Sequence, residues 1–134
     1  MQPTIEQSVH FNASARELYD LYISPKLHAA FTGGGKVTIS AKPGSKFSAF
    51  DGMLSGQMLL AIPGQLIVQC WRGTHWKKAD PDSILVIYFM QDGKRGRIDL
   101  HHVNVPEHDQ KGVTKGWKQY YWQPLKRYLK KKST

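Results

Sequence analysis

Apolar and polar residues alternate over residues 4–11, with Ile5, Val9 and Phe11 at odd positions. That spacing predicts a half-buried strand. Asn12-Ala13-Ser14 breaks it. Ser14 precedes Glu17 by three residues, a capping-box pattern, and Leu18, Leu21 and Tyr22 recur at helical spacing. Residues 15–23 therefore read as a short helix. Ser24-Pro25 restarts the chain, because proline suits a first helical turn. Leu27, Ala30 and Phe31 give a second short helix, closed by Gly33-Gly34-Gly35.

From Lys36 to Pro106 the pattern is strand after strand. Val37 and Ile39 alternate with polar residues, and Pro43-Gly44 marks a turn. Phe47 and Phe50 flank a short strand, and Asp51-Gly52 marks a hairpin turn. Over residues 53–62, Leu54, Gly56, Met58, Leu60 and Ile62 are predicted to share one face, with Ser55 and Gln57 on the other. Pro63-Gly64 turns the chain again. Residues 65–72 leave their parity open: Leu66, Val68, Cys70 and Arg72 form one face, Ile67, Gln69 and Trp71 the other. Residues 77–82 form a loop. Residues 83–90 are apolar throughout and read as a central strand. After Gln91-Asp92-Gly93 a last strand spans 96–105, with Ile98, Leu100 and His102 on one face.

The final element is an amphipathic helix. Trp117, Tyr120, Tyr121, Leu125, Tyr128 and Leu129 recur at three- and four-residue intervals. Pro124 removes one backbone hydrogen bond and is expected to bend the helix near Gln119 to Tyr121. Runs of strands rather than alternating strand–helix units place the chain in the α+β class. The expected architecture is a helix grip: a curved antiparallel sheet wrapped on a long C-terminal helix, with two short helices after the first strand. An apolar cavity can form between sheet and helix.

Length and composition narrow this. The 134 residues fit one domain, 1–134, and hydrophobic residues at 40% against charged residues at 22% are an ordinary globular balance. No apolar run is long enough for a transmembrane helix. The segment from Met1 to Phe11 lacks a basic start and an apolar block, so no signal peptide is expected. The single Cys70 excludes an internal disulfide framework and a multi-cysteine zinc site. A cytoplasmic protein is the expectation.

The net charge of +9 is unevenly spread. Residues 1–110 carry 11 Lys/Arg against 10 Asp/Glu, whereas residues 111–134 carry 8 Lys/Arg and no acid. The excess is one basic helix face. Such a face can meet nucleic acid or an anionic membrane. Here the aromatic stripe is needed to cover the sheet, and no RNA- or DNA-binding signature accompanies it. The lysines are read as a solvated face, with neither nucleic acid nor membrane surface as partner.

Several motifs carry a family resemblance. They are Ser24-Pro25, Phe31-Thr32-Gly33-Gly34, Pro43-Gly44-Ser45-Lys46-Phe47 and Phe50-Asp51-Gly52 with Gly56. Further on come Ile67-Val68-Gln69, Trp71-Arg72, Trp76, Val105-Pro106, Gly116-Trp117, Tyr121-Trp122 and Pro124-Leu125. Together they resemble the START-like (SRPBCC, Bet v 1-like) helix-grip superfamily. Within it the chain looks most like the family homologous to the C-terminal domain of the heat-shock-protein-90 ATPase activator. The activator's separate N-terminal domain has no counterpart in these residues. The resemblance implies either an internal pocket for an apolar or amphipathic small molecule, or a chaperone-associated interaction module. A cyclase- or hydrolase-type enzyme is a third reading.

The residues themselves show no catalytic constellation. His101 and His102 are adjacent on a strand, so they point to opposite faces and cannot form a compact metal site alone. Cys70 has no Cys-x-x-Cys partner. No metal and no cofactor is expected, and the chain reads as a binding domain rather than an enzyme. Trp117 and Tyr121 can either pack the core or stack on a ligand. Phe31, Met58 and Tyr88 are candidates on the same logic. His102 shares the parity of Ile98 and Leu100 and is expected to face the interior. Arg72, if it faces the sheet–helix space, needs an acidic or carbonyl partner or a ligand's anionic group.

Overall fold

The strand signals resolve into one six-stranded antiparallel sheet in a computed structural model that describes residues 3–132. β1 (Ile5–Phe11) leads into α1 (Ala15–Ile23) and α2 (Pro25–Phe31). Then come β2 (Lys46–Ala49), β3 (Leu54–Ile62), β4 (Leu66–Gly73), β5 (Ser83–Asp92) and β6 (Arg95–Val103). A 3₁₀ turn (Glu107–Asp109) opens a continuous C-terminal helix. It comprises α3 (Gln110–Gly116), a π-helical turn (Trp117–Trp122) and α4 (Gln123–Lys132). Met1 and Gln2, where the reading of the N-terminal segment starts, lie outside the described residues, as do Ser133 and Thr134.

The strand order is β1-β6-β5-β4-β3-β2, so β2 to β6 form a meander and the first strand closes on the last. Local chemistry fixes the short helices. Ser14 Oγ accepts the Glu17 N–H at 3.1 Å, and Ser24 Oγ accepts the Leu27 N–H at 3.2 Å, with Pro25 in the first turn. Trp122 Nε1 donates to Gln7 Oε1 at 2.6 Å and Gln7 Nε2 donates to the Thr114 carbonyl at 3.0 Å, which fastens the C-terminal helix to β1.

Register settles the parity that the sequence left open in β4. Ile67, Gln69 and Trp71 face inward, with Ser83, Leu85 and Ile87 beside them on β5 and Leu100 and His102 on β6; all are buried. Gly56 pairs with Trp71, and a Cβ built at Gly56 would stand 1.9 Å from the Cys70 carbonyl oxygen. Only glycine lets β3 come that close to β4.

Three expectations change. The stretch containing Val37 and Ile39 forms one isolated bridge, Thr38 to Ser48, rather than a strand, although both side chains are buried. In β3 a bulge lies between Met58 and Leu60. The extra residue reverses the alternation, so Met58 points into the core while Leu60 and Ile62 point outward. In the helix, Pro124 does more than bend the axis. The Gln123 N–H reaches the Lys118 carbonyl, an i→i−5 bond, and the turn before the proline widens to π geometry.

The outer face is unusual for a solvated sheet, where polar residues normally alternate outward. Paired across neighbouring strands, Leu60, Val68 and Val86 make one row and Ile62, Leu66 and Tyr88 the next. Cys70, Ile84 and Val103 make a third. Leu60, Ile62, Tyr88, Met90 and Val103 each keep between 38% and 42% of their surface exposed.

Candidate functional site

The inner face carries polar groups that an apolar core would not need. His28 Nδ1 lies 2.8 Å from the Tyr22 carbonyl, which can only accept, so that nitrogen carries the proton. Nε2 then accepts from the Tyr121 hydroxyl at 2.8 Å. Tyr22 Oη donates to Gln69 Oε1 at 2.7 Å. A second chain runs through His102. Ser83 Oγ donates to the Trp71 carbonyl at 2.6 Å, so His102 Nε2, 2.8 Å away, is the donor to Ser83 Oγ. His102 Nδ1 accepts from Trp117 Nε1 at 3.1 Å.

Both imidazoles are therefore neutral, each as a single tautomer. Burial pulls His28 down to about 4 and His102 down to about 3. Burial also pushes the Tyr22 and Tyr121 phenols upward, so they stay protonated donors. Among the described residues, two buried side-chain donors are left over. Gln69 Nε2 and Trp71 Nε1 are buried and have no hydrogen-bond partner. They sit two residues apart on the same face of β4.

Between the β2–β3 turn and the C-terminal helix lies a cleft of about 320 Å³. Phe50, Leu54, Trp71, Val113, Trp117 and Tyr121 make its apolar wall; Met53 and Tyr120 also line it and are well exposed. The turn that supplies Phe50 holds Phe50 and Asp51 at φ 52° and 56°, in the left-handed region, and Gly52 at 90°. Aromatic contacts set the wall's geometry. Trp117 lies 4.7 Å from Tyr121 and stacks on Trp122 at 5.4 Å, and Trp71 meets His102 edge-on at 4.7 Å. At the rim, His75 Nε2 and Trp76 Nε1 both reach Asp109 Oδ2 at 2.8 Å.

A larger, open groove of about 620 Å³ runs past Lys77, Asp80, Pro106 and His108. Asp80 there is bound by His108 at 2.7 Å, a bond that holds its carboxyl below the usual range. Its Asp80 and His108 are taken up by each other and the groove is wide open, so the enclosed aromatic cleft is the stronger candidate.

Of the residues singled out from sequence, Trp117 and Tyr121 line the cleft, and His102 lies directly behind Trp117. Phe31 and Met58 face the interior but pack in the core: Phe31 stacks on His28 at 5.5 Å, and Met58 is fully buried. Two others face away. Tyr88 stands on the outer face, because β5 register turns Ile87 and Phe89 inward. Arg72 also points outward, since Trp71 takes the inner position. Its guanidinium reaches Asp82 Oδ1 at 2.8 Å and the Lys77 and Asp80 carbonyls at 3.0 Å each, pinning the β4–β5 loop. Arg72 and His102 therefore do not converge. The sequence reading missed His28, Tyr22 and Gln69. His28 precedes Phe31 by three residues on α2, and that spacing was the available signal for a shared face.

A sheet gripped by one long helix, with a polar-threaded inner face and an apolar cleft at one end, defines a helix-grip domain. The family described as Activator of Hsp90 ATPase homolog 1-like protein matches residues 12–130, and the chain belongs to it. It is 28% identical over 116 residues to the human activator of 90 kDa heat shock protein ATPase homolog 1, covering 87% of this chain and 34% of that protein. Against the homologue from Dictyostelium discoideum the identity is 29%, covering 86% of this chain and 30% of that protein. The chain thus spans about a third of the length of these relatives. Among solved structures, an HSP90 activator from Plasmodium falciparum superposes with a TM-score of 0.84 at 19% identity, covering 94% of this chain and 95% of that one. CalU16 from Micromonospora echinospora gives 0.75 at 20% identity, covering 91% and 73%. Among the described residues, no helix is long and apolar enough to cross a membrane.

Proposed function

We propose that this is a non-enzymatic binding domain, working in the cytoplasm, whose aromatic cleft takes a small planar apolar molecule bearing a neutral hydrogen-bond acceptor. The pair of orphaned donors behind the cleft carries this reading. Each buried N–H without an acceptor costs about 1–3 kcal/mol. The rest of the inner network is satisfied atom by atom, so two unmet donors side by side, Gln69 Nε2 and Trp71 Nε1, stand out. Trp71 lines the cleft, and an oxygen acceptor brought against its indole would remove that cost.

The surroundings select the ligand's charge and size. His28 and His102 are neutral and Arg72 is turned outward, so nothing at the floor would balance a buried carboxylate or amine. Ligand pockets run from about 300 to 1,000 Å³. A cleft of about 320 Å³ is at the small end, which favours a compact ring system over a sterol or a lipid chain. The indole N–H is shut off from solvent, so entry requires a side-chain shift at the floor, with Met53 and Tyr120 at the mouth.

Native mass spectrometry of the freshly purified protein, followed by denaturation, tests for a retained small molecule. Titration with neutral aromatic ketones, read by tryptophan fluorescence, tests the chemistry. Saturation is expected, with Trp71→Phe keeping the fold and weakening binding about tenfold, the worth of one hydrogen bond. A bare protein that no probe saturates would sink the reading.

A second reading has its own support. The family match and the relatives named as activators of a 90 kDa heat-shock protein ATPase favour a chaperone-associated module. The matched part is about a third of those relatives, so an interaction role is the finer claim here. A change in the ATPase rate of a purified 90 kDa heat-shock protein on adding this chain would support it; no binding and no rate change would remove it.

A further inference from the structure

We propose that the aromatic cleft also holds a second end of its ligand, an organic ammonium group anchored on Asp109. This rests on the reading of the cleft as a small-molecule site and adds a charge requirement at its mouth. The cleft runs along the C-terminal helix. Asp109, Gly112, Gly116 and Tyr120 line it turn by turn, and from Asp109 to Gly116 the helix rises about 10 Å. Gly112 and Gly116 put no side chain into that path. The unpartnered Trp71 Nε1, on a side chain that is almost wholly buried, belongs to the wall of the same cleft.

Asp109 does not do what its position allows. It stands at the N-cap of α3, where a carboxylate commonly accepts a backbone N–H, yet its side chain makes no capping bond. Oδ2 instead accepts from Trp76 Nε1 and His75 Nε2, at 2.8 Å each. Those two donors fix the carboxylate. Oδ1 faces Gly112, and a Cβ built there would stand 2.4 Å from it. The missing side chain keeps Oδ1 clear on the cleft side. The carboxylate also lies one indole beyond the orphaned donor. The Trp71 and Trp76 rings are 5.6 Å apart, and Trp76 bonds Asp109 directly.

Charge identifies the group that fits. The chain carries +9, and Lys111, Lys115 and Lys118 stand on this stretch of helix, yet among the described residues no Lys or Arg lines the cleft. Asp109 is the one carboxylate in that lining. The walls are aromatic, and ring faces attract cations. The three lysines are exposed, where water and salt screen them. The Asp109 side chain is only 15% exposed, so its charge is felt more strongly inside the cleft. A cation held at the mouth also suits the neutral floor, because it is never carried down to His28 and His102.

Two ketones of one shape test this. The para-isobutylacetophenone and para-acetyl-N,N-dimethylbenzylammonium molecules differ only in a C–H replaced by a charged N–H. Titrations of the full chain, read by tryptophan fluorescence at low salt, should show the ammonium binding about tenfold more tightly. Asp109→Asn, which keeps an oxygen for Trp76, should erase that difference. Gly112→Ala should shrink it by pushing Oδ1 aside. Circular dichroism checks that each variant folds, and if one does not, the other decides. Equal affinity of the two ketones for the parent overturns this proposal and leaves the neutral-acceptor reading standing. A preference that survives in every folded variant overturns it too. If neither ketone saturates, the small-molecule reading fails and this proposal fails with it.

Discussion

The two faces of this sheet are built from the same strands and solve opposite problems. On β4 the inner positions are Ile67, Gln69 and Trp71, and the outer ones Leu66, Val68, Cys70 and Arg72. The inner face holds the polar groups Gln69, Ser83 and His102 and is sealed, roofed by Trp117, Tyr121 and Trp122. The outer face holds apolar rows on β3 to β5 among its charged residues and is left in water. Burial is set here by what lies above a face, and hydrophobicity on β4 alone would not have told the two apart. The inner polar groups are tolerated because nearly every one has a partner.

That contrast predicts where substitutions hurt. The largest effect belongs to Trp117. It is 2% exposed, packs on Tyr121 and Trp122, and donates to His102. Trp117→Ala removes the roof and strands the His102 Nδ1 acceptor, at about 3–5 kcal/mol. Chemical denaturation should place its midpoint far below that of the parent. A loss under 1 kcal/mol would mean the helix is not what seals the inner face.

Acid comes next. The unfolded chain protonates its histidines near 6.5, whereas folded His28 resists until about 4 and His102 until about 3. Stability is therefore whole above pH 6.5 and is lost as pH falls below it, because the unfolded state takes up protons first. At about 1.4 kcal/mol per unit, each imidazole contributes a loss on the order of 3 to 5 kcal/mol across that window, the larger for His102. His102→Gln can keep both hydrogen bonds, with its carbonyl toward Trp117 and its amide toward Ser83. Thermal midpoints measured across this range should then show a shallower acid decline. An unchanged decline would place the proton uptake elsewhere.

Gly56→Ala follows. The new Cβ would fall against the Cys70 carbonyl of the next strand, backbone that cannot swing aside. Forcing β3 away from β4 should cost about 1–3 kcal/mol, read as a lower melting temperature. Full retention of stability would mean that β3 can shift along its whole length without penalty.

Much of this was legible in the chain. Every strand from β1 to β6, both short helices with the Ser14 cap and the Ser24-Pro25 restart, and the gripping helix follow from periodicity and turn residues. The bulge was not legible. Leu54, Gly56, Met58, Leu60 and Ile62 keep an even spacing, but Leu59 and Ala61 between them are apolar as well, and a one-residue insertion in pairing is masked where both faces are apolar. Tyr88 was misplaced for the same reason, since a strand apolar on both sides does not say which side is in. The His28–Tyr121 bond joins residues 93 apart in sequence, and no local pattern encodes it. The aromatic cleft sits between two signals that were each legible, the Asp51-Gly52 turn and the Trp117–Tyr121 stripe. Their juxtaposition belongs to the tertiary structure.

The smallest effect is the sharpest test of the contrast between the faces. Tyr88 and Trp117 are both large aromatics in the interior of their elements, and sequence alone gives no reason to treat them differently. Tyr88 keeps 42% of its surface exposed, and its one ring contact is an edge-on approach to His101 at 5.9 Å. Tyr88→Ala should therefore shift unfolding of the single chain by no more than about 0.5 kcal/mol, the range of an ordinary surface change. A loss of several kcal/mol would show that the outer face supports the fold itself.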